Sequence, residues 1–464
     1  MADFKLTILW SDWLIYLLVV TLAIFFINLA RDAVTRKRWR KVFVSPLGSA
    51  SFLVIVFYVA IALLDSVHFR LPLQQLEGSD TVHYSQEVNS LLDLTLQDLR
   101  GNDEKTYSEP FAIYSFAKEN RTLDSGQVVR DFPRLEHAGS HLPTGKPASA
   151  DIFERTMHAL VVGALLTLAL WLLIWVLRWG LGLSSGQGLQ ASAWLPWKSI
   201  LLTLGALVLV STWVMQLGGY YHILGTNKVG QDVLFQAIKA VRTGVLIGTL
   251  ATLLTLPLAV GLGIAAGYFK GWVDDLVQYV YTTLSSIPGI LLIAASVLLI
   301  DVYIETHPEQ FQLTAERADF QFLALCFILG MTSWTGLCRL LRAETLKVSQ
   351  LDYVQAARAF GVSNGRIIGK HILPNVTHIV LIALVLDFSG FVLAEAILSY
   401  IGVGVDPSMA SWGNMINEAR AELSREPVVW WSVAAAFSMM FVLVLAANLF
   451  ADKVRDAFDP RTVG

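Results

Sequence analysis

Charge is scarce in this chain. Aspartate, glutamate, lysine and arginine make up 15% of its 464 residues, against about 25% in an average soluble domain. The chain is 55% hydrophobic with a mean hydropathy of +0.57. The apolar residues gather in long uncharged runs, which excludes an ordinary water-soluble globule and indicates an integral membrane protein. The two cysteines, Cys326 and Cys338, lie in or beside one apolar segment, which argues against a disulfide framework or thiolate metal site and for buried, inert thiols. A net charge of −3 gives no reason to expect nucleic acid as a partner. No small-residue cleavage site follows the first apolar run, so a cleavable signal is not expected. No G-x-x-x-x-G-K-[ST] occurs, and the nearest stretch, GTNKVGQD, lacks the lysine that would reach phosphates. There is no H-E-x-x-H and no Cys/His cluster at ligand spacing. An enzyme is therefore not expected, nor a cofactor or metal bound by this chain.

What the sequence does have is membrane-length segments, each needing about 20 mostly apolar residues. Nine qualify: 13–30, 48–64, 157–177, 200–217, 243–267, 276–300, 321–342, 376–402 and 428–450. Lysine and arginine in the short connections set orientation. The stretch RDAVTRKRWRK (31–41) has six basic residues against one acid, and 178–199 has Arg178 and Lys198 with no acid. The segment 339–375 has six basic residues against Glu344 and Asp352. All three fall on one side, which is therefore cytoplasmic, with the N-terminus outside and the C-terminus inside. The opposite connections are acidic: 65–151 has fourteen acids against eight bases. Trp171, Trp175, Trp179, Trp194 and Trp197 read as a cytoplasmic aromatic belt, and Trp430 and Trp431 as an outer one.

The plan that follows is an all-α polytopic membrane protein. Residues 1–64 hold two helices, 65–151 form a small extracytoplasmic insert, 152–199 hold a helix and a linker, and 200–464 hold the last six spans. Within the insert, 84–99 places Val88, Leu91, Leu92, Thr95 and Leu99 on one helical stripe ending at Gly101. RLEHAGSHLPTGKPASAD (134–151) reads as a linker. An echo at an offset of 81 aligns His141, Asp151, Ala159 and Gly163 with His222, Asp232, Ala240 and Gly244. It reads as duplication or as chance similarity between two segments leading into spans.

One connection is neither short nor simple: DYVQAARAFGVSNGRIIGKHILPN (352–375). Val354, Ala357 and Phe360 share one side of a first helix, and Gly361 can end it in the left-handed conformation. Ser363 is a good N-cap for a second helix in which Ile367, Ile368 and Ile372 share a side. Pro374 marks where the unit stops or kinks into the next span. The expected result is two amphipathic helices with a hinge on the cytoplasmic face, bearing Arg358, Arg366 and Lys370. This is an interfacial loop on anionic lipid or a docking knob for a soluble partner.

The spacing from Gln355-Ala356-Ala357 to Gly361, then to His371-Ile-Leu-Pro, resembles the EAA loop of ABC importer permease subunits. HILGTNKVGQDVL (222–234) is similar to the outer motif of oligopeptide and dipeptide permeases, and GYFKGWVDD (267–275), AEAILSYIGVGVDPSMASWGNMI (394–416) and DAFDPR (456–461) match that subfamily too. The resemblance covers about 200–464 and implies an ABC importer transmembrane domain built from the last six helices. It implies ATPase coupling through Asp352, Gln355, Ala356, Ala357, Arg358, Gly361, Arg366, His371 and Pro374. It also implies an outer motif of Gly225, Thr226, Gly230 and Asp232. Implied partners are a second permease subunit, cytoplasmic ATP-binding subunits carrying ATP and Mg, and an extracytoplasmic solute-binding protein, in a bacterial inner membrane. Gln355 stands where the family has Glu, and Asn227 and Gln231 replace Asp and Arg, so charged contacts there should be weaker. Residues 1–199 have no counterpart in the six-span plan.

Asp387 and Glu395 fall inside one span, about 80° apart on the helix. Such acids face a bundle interior or a water path. Glu395 reads as structural, and Asp387 as either a pathway carboxylate or a packing residue. Pro257 and Pro288 could kink or break their spans. The function expected is a peptide permease subunit. The alternatives are the same architecture importing a nickel chelate or modified peptide, or an ATP-independent channel or scaffold.

Overall fold

The computed structural model describes residues 4–31, 33–72, 84–122, 128–143, 147–180, 195–311 and 313–458. Most are helical, since a backbone in lipid must satisfy its own hydrogen bonds. The first helices are α1 (Trp10–Arg31), α2 (Ala33–Val44), α3 (Pro46–Asp65), α4 (Leu91–Thr95) and α5 (Gln97–Arg100). Then come α6 (Ala148–Gly180), α7 (Trp197–Gly218), α8 (Val233–Phe269), α9 (Trp272–Ser286), α10 (Gly289–Thr306) and α11 (Thr314–Val348). Last are α12 (Asp352–Ala359), α13 (Asn364–Tyr400), α14 (Trp412–Ala419) and α15 (Trp431–Phe458). Among the described residues, α3, α6, α7, α8, α10, α11, α13 and α15 are long and apolar enough to cross a membrane. The expected span 13–30 falls on α1, where the apolar stretch Trp10–Thr21 is described. Trp194, the side chain of Trp179 and residues 459–461 of the closing motif lie outside the described residues.

The expected span 276–300 is two helices. Pro288 disfavours helical backbone in the residue before it, and Ile287 is extended at φ −92°, ψ 132°. The chain therefore breaks between α9 and α10. Pro257, by contrast, sits inside α8 without ending it.

The chain forms two compact units. One comprises Met1–Ile8, Phe43–Thr243 and Ala410–Leu443; the other comprises Leu9–Val42, Gly244–Met409 and Val444–Gly464.

In the first unit α7 packs between α3 and α6. The insert folds beside them as two small sheets. β1 (Lys5–Leu6), β2 (His68–Arg70) and β3 (Asn89–Ser90) pair antiparallel in that order, with Phe69 opposite both Leu6 and Asn89. β4 (Glu119–Thr122) pairs antiparallel with β5 (Val128–Asp131). The helix expected over 84–99 starts only at Leu91. Ser90 belongs to β3 and caps α4 through a capping box with Asp93, so the segment before it is held extended. Leu92, Leu96 and Leu99 then bury against Leu217, Ile223 and Leu234. Buried Asp65 and Asp93 share Lys239, whose Nζ lies 2.5 Å from Asp93 and 3.9 Å from Asp65. Burial alone would raise the Asp93 pKa, but the Lys239 charge and hydrogen bond hold it below the usual range. Trp431 does not join an outer aromatic belt: it is 1% exposed and its indole donates to the Thr226 carbonyl at 2.9 Å.

The second unit is built around α11, which α1, α9, α10 and α13 all touch. Cys326 and Cys338 are free and buried on it. α8 approaches α11 closely at Gly263 and Gly267: an added Cβ would meet the Cys338 carbonyl at 2.8 Å and the Arg342 carbonyl at 2.7 Å. This accounts for the glycine-rich GLGIAAGYF as a helix-packing stripe. α1 starts beside the first turns of α11, where the Ser11 amide donates to Asp319 at 3.0 Å. The two helices thus begin at the same end of this unit.

Candidate functional site

The loop 352–375 grows out of the second unit's core. Val354, Ile367, Ile372 and Val376 are buried with Tyr268, Val277, Tyr281, Trp334, Leu341 and Val348. Each arm of the loop is thereby anchored by its own aliphatic residues, as the periodicity requires. Between the arms, Gly361 has φ +73°. Its amide donates to the Arg358 carbonyl at 3.1 Å, and the Val362 amide reaches the Ala357 carbonyl at 3.1 Å. This bond pair is a Schellman closure, which needs a residue that tolerates the left-handed region. The hinge is therefore fixed in shape.

Side chains lace the two arms together. The Arg358 guanidinium stacks over the Tyr268 ring at 4.9 Å, and the Tyr268 hydroxyl donates to Asn364 at 2.9 Å. The Asn375 amide donates to the Tyr353 hydroxyl at 3.1 Å and to the His371 carbonyl at 2.6 Å. Gln355 donates to the Gln350 carbonyl at 3.1 Å. The amide at the family's Glu position thus serves the turn that leads in from α11. Asp352, Gln355, Ala356, Arg358 and Arg366 are exposed, and Ala357 and His371 are half-buried.

Three expectations need correcting. Phe360 does not share the buried side with Val354; it is 87% exposed at the tip, because α12 has ended before its ring could turn inward. Ser363 occupies the N-cap position without a side-chain capping bond. Pro374 does not stop the second arm, which runs on as α13. The helix widens into a π-turn over Ile368–Ile372, and the Leu373 amide reaches back to Ile368. Proline has no N–H, and its ring crowds the carbonyl four residues earlier; one wide turn just before it relieves both problems.

Beside this loop, Arg342 of α11 makes a bidentate pair with Asp274 of α9 at 2.5 and 2.6 Å. The Asp274 pKa is held low by that pair. Further along α13, Glu395 is 1% exposed and accepts from the Ser399 hydroxyl at 2.8 Å, which fits a structural role. Asp387 is half-buried, and no described residue lies within hydrogen-bonding or ion-pairing distance of its carboxylate.

In the first unit the outer motif is turned onto the insert. Gly225 and Gly230 have φ +68° and +82°, and a Cβ on either would overlap the carbonyl of Ser108 or of Glu104. Thr226 is fully buried. Its hydroxyl accepts from the Ser108 amide at 2.6 Å and donates to the Thr106 carbonyl at 2.8 Å. Asp232 accepts from the Phe235 amide at 2.9 Å, capping α8, and pairs with His222 Nδ1 at 2.8 Å. On its other side His222 Nε2 lies 3.7 Å from Glu104, an electrostatic approach too long for a hydrogen bond. Burial alone would lower the His222 pKa, but the two carboxylates raise it to about 9. Glu104 is held at about 2: burial would raise it, while His222 and the amides of Glu136, His137 and Ala138 outweigh that. Asn227 caps the amides of Val229 and Gln231, both at 3.0 Å, a task its neutral amide oxygen performs without charge.

The amides around Glu104 also correct the reading of 134–151 as a linker. Leu135, Ala138 and Leu142 are buried, and Arg134 ties the Gly139 and Leu142 carbonyls together at 2.5 and 2.6 Å. Residues 144–146 lie outside the described residues. In the echo, His141 pairs with Asp151 at 2.9 Å as His222 does with Asp232.

A family model described as the binding-protein-dependent transport system inner membrane component matches residues 259–464. The oligopeptide transport system permease protein OppC of Mycobacterium bovis is 32% identical over 247 residues, 53% of this chain and 78% of that protein. The chain belongs to this transport permease family. The glutathione transport system permease protein GsiD of Pectobacterium atrosepticum is 30% identical over 52% of the chain and 73% of that permease. The dipeptide transport system permease protein DppC of Lactococcus lactis is 29% identical over 52% of the chain and 64% of that permease. The permease family model includes α12 and α13 and leaves residues 1–258 unmatched.

Proposed function

We propose that this chain is a membrane-spanning subunit of an ATP-driven importer of di- or oligopeptides, coupled to its ATPase through 352–375. One observation carries the coupling role: a hinge closed by Gly361, with both arms anchored in the core and laced by Tyr268 and Asn375, presents Gln355, Ala356, Phe360 and Arg366 outward. A loop built this way passes force to the helices it is rooted in. The peptide reading rests on the relatives' names. The loop's end of α13 is cytoplasmic and the insert is outside, as the basic and acidic connections require.

In this reading, a second permease subunit completes the pathway, and cytoplasmic ATP-binding subunits supply the nucleotide chemistry. A solute-binding protein delivers substrate outside. Closure of the ATPases switches the pathway between inward- and outward-facing states.

Co-purification from gently solubilised membranes tests the assignment. The intact chain brings down an ATPase, and Gly361→Pro or Ala356→Arg abolishes that without unfolding the chain. If an ATPase is never recovered, or both variants retain it, the coupling role fails and an ATP-independent channel becomes the better description.

A further inference from the structure

The most basic stretch of the chain lies outside the family match, on α2. Arg36, Lys37, Arg38, Arg40 and Lys41 sit on this helix with no acid among its residues. At about 100° per residue, Arg36, Lys37, Arg40 and Lys41 occupy an arc of about 140°, opposite Val42 and Trp39. The burial follows this division. Val42 is fully buried against Val454, Ala457 and Phe458 of α15, with Leu381 of α13 packed beside them. The Trp39 ring meets Phe458 edge-on at 5.6 Å, and Arg38 lies over the Phe458 ring at 5.8 Å. The other four cations are exposed.

Two features fix where this basic face lies. α1 ends at Arg31 and α3 begins at Pro46, so a single residue separates α2 from each neighbour. α2 is also anchored on the last turns of the spanning helix α15, with Leu381, six residues into the expected span 376–402, packed beside them. It is therefore held where spans leave the hydrocarbon, at headgroup depth, with its apolar side already occupied by protein.

We infer that the outward face of α2 binds the anionic headgroups of bilayer phospholipids. Lysine and arginine on long flexible stems reach phosphate from this depth. An acidic soluble protein is the lesser fit, because α2 is anchored on the end of the spanning helix α15, where that helix leaves the hydrocarbon. The inference rests on the position and charge of α2 and is independent of the transported solute.

The test uses the full chain in nanodiscs of phosphatidylcholine mixed with phosphatidylglycerol, with lipids retained by the released protein counted by native mass spectrometry. The wild-type chain retains phosphatidylglycerol preferentially. Lys37→Gln with Lys41→Gln lowers that retention roughly tenfold or more, and Lys37→Arg with Lys41→Arg preserves it. Lys228→Gln, at an exposed lysine of the outer motif, leaves it unchanged. Should the glutamine variant fail to fold, the wild-type chain still decides. Raising salt from about 0.1 to 1 M shortens the screening length from about 10 to 3 Å and must lower phosphatidylglycerol retention. Equal retention by wild type and glutamine variant, or retention indifferent to salt, overturns the inference. So does competition by soluble glycerophosphoglycerol as strong as that of bilayer lipid, which indicates a free-phosphate site. Displacement of the lipid by polyglutamate overturns it in favour of an acidic protein.

Discussion

His222 lies between two carboxylates, Asp232 and Glu104. Its pKa is raised from 6.5 to about 9 between Asp232 and Glu104. The associated stability is fully present below about pH 6.5 and lost as pH rises through 9, a contribution of about 3 kcal/mol. Glu104 behaves oppositely: lowered from 4.5 to about 2, it stabilises above pH 4.5 and ceases to as pH falls through 2. Thermal unfolding of the solubilised chain should therefore weaken between pH 6.5 and 9, and His222→Gln should flatten that alkaline limb. An unchanged limb would mean that the imidazole is neutral when folded. Asp387 supports a second prediction. With no described partner for its carboxylate, Asp387→Asn removes a charge available to a peptide ammonium, and apparent affinity for uptake falls about tenfold or more. Unaltered uptake would assign Asp387 to packing.

Among the elements, the hinged pair α12 and α13 was legible in outline because the buried positions keep helical spacing and Gly361 marks the turn. Its bracing was not. Nothing local says that the Tyr268 ring, 90 residues before Arg358 in the chain, would lie beneath it; the only sequence signal was membership in GYFKGWVDD. Tyr268→Phe keeps the ring and deletes the bond to Asn364, worth about 1 kcal/mol. Amides over 361–367 should then exchange about fivefold faster, while the ATPase still co-purifies. Exchange at the wild-type rate would show that the hydroxyl does not restrain the hinge. The spans were legible for the opposite reason: hydropathy is a sum over many residues, so single errors cancel. That same averaging drew 276–300 as one span, although Pro288 marked a possible kink or break, and there one backbone restriction outweighs a continuous apolar run. The stretch 134–142 was misread because its ordering comes from Glu104, more than 30 residues away.

At the scale of the molecule, the outer motif and the insert are interdependent. Gly225, Thr226 and Gly230 meet backbone atoms of Glu104, Thr106 and Ser108. Excising 66–147 and bridging the ends should therefore lower the unfolding temperature and abolish uptake. A stable, active deletion would show that the motif needs no cover. The N-terminal helices pose a different problem, one of timing. Val42 finds its place against Val454, Ala457 and Phe458, which are synthesised more than 400 residues after it. At about 5–20 residues per second the ribosome needs on the order of 20–80 s to span that gap. Throughout it, α2 must wait undocked while the rest of the polypeptide is threaded past it. A stop codon at 454 should thus leave an otherwise inserted protein whose first helices never settle, and limited proteolysis between 31 and 46 would reveal them.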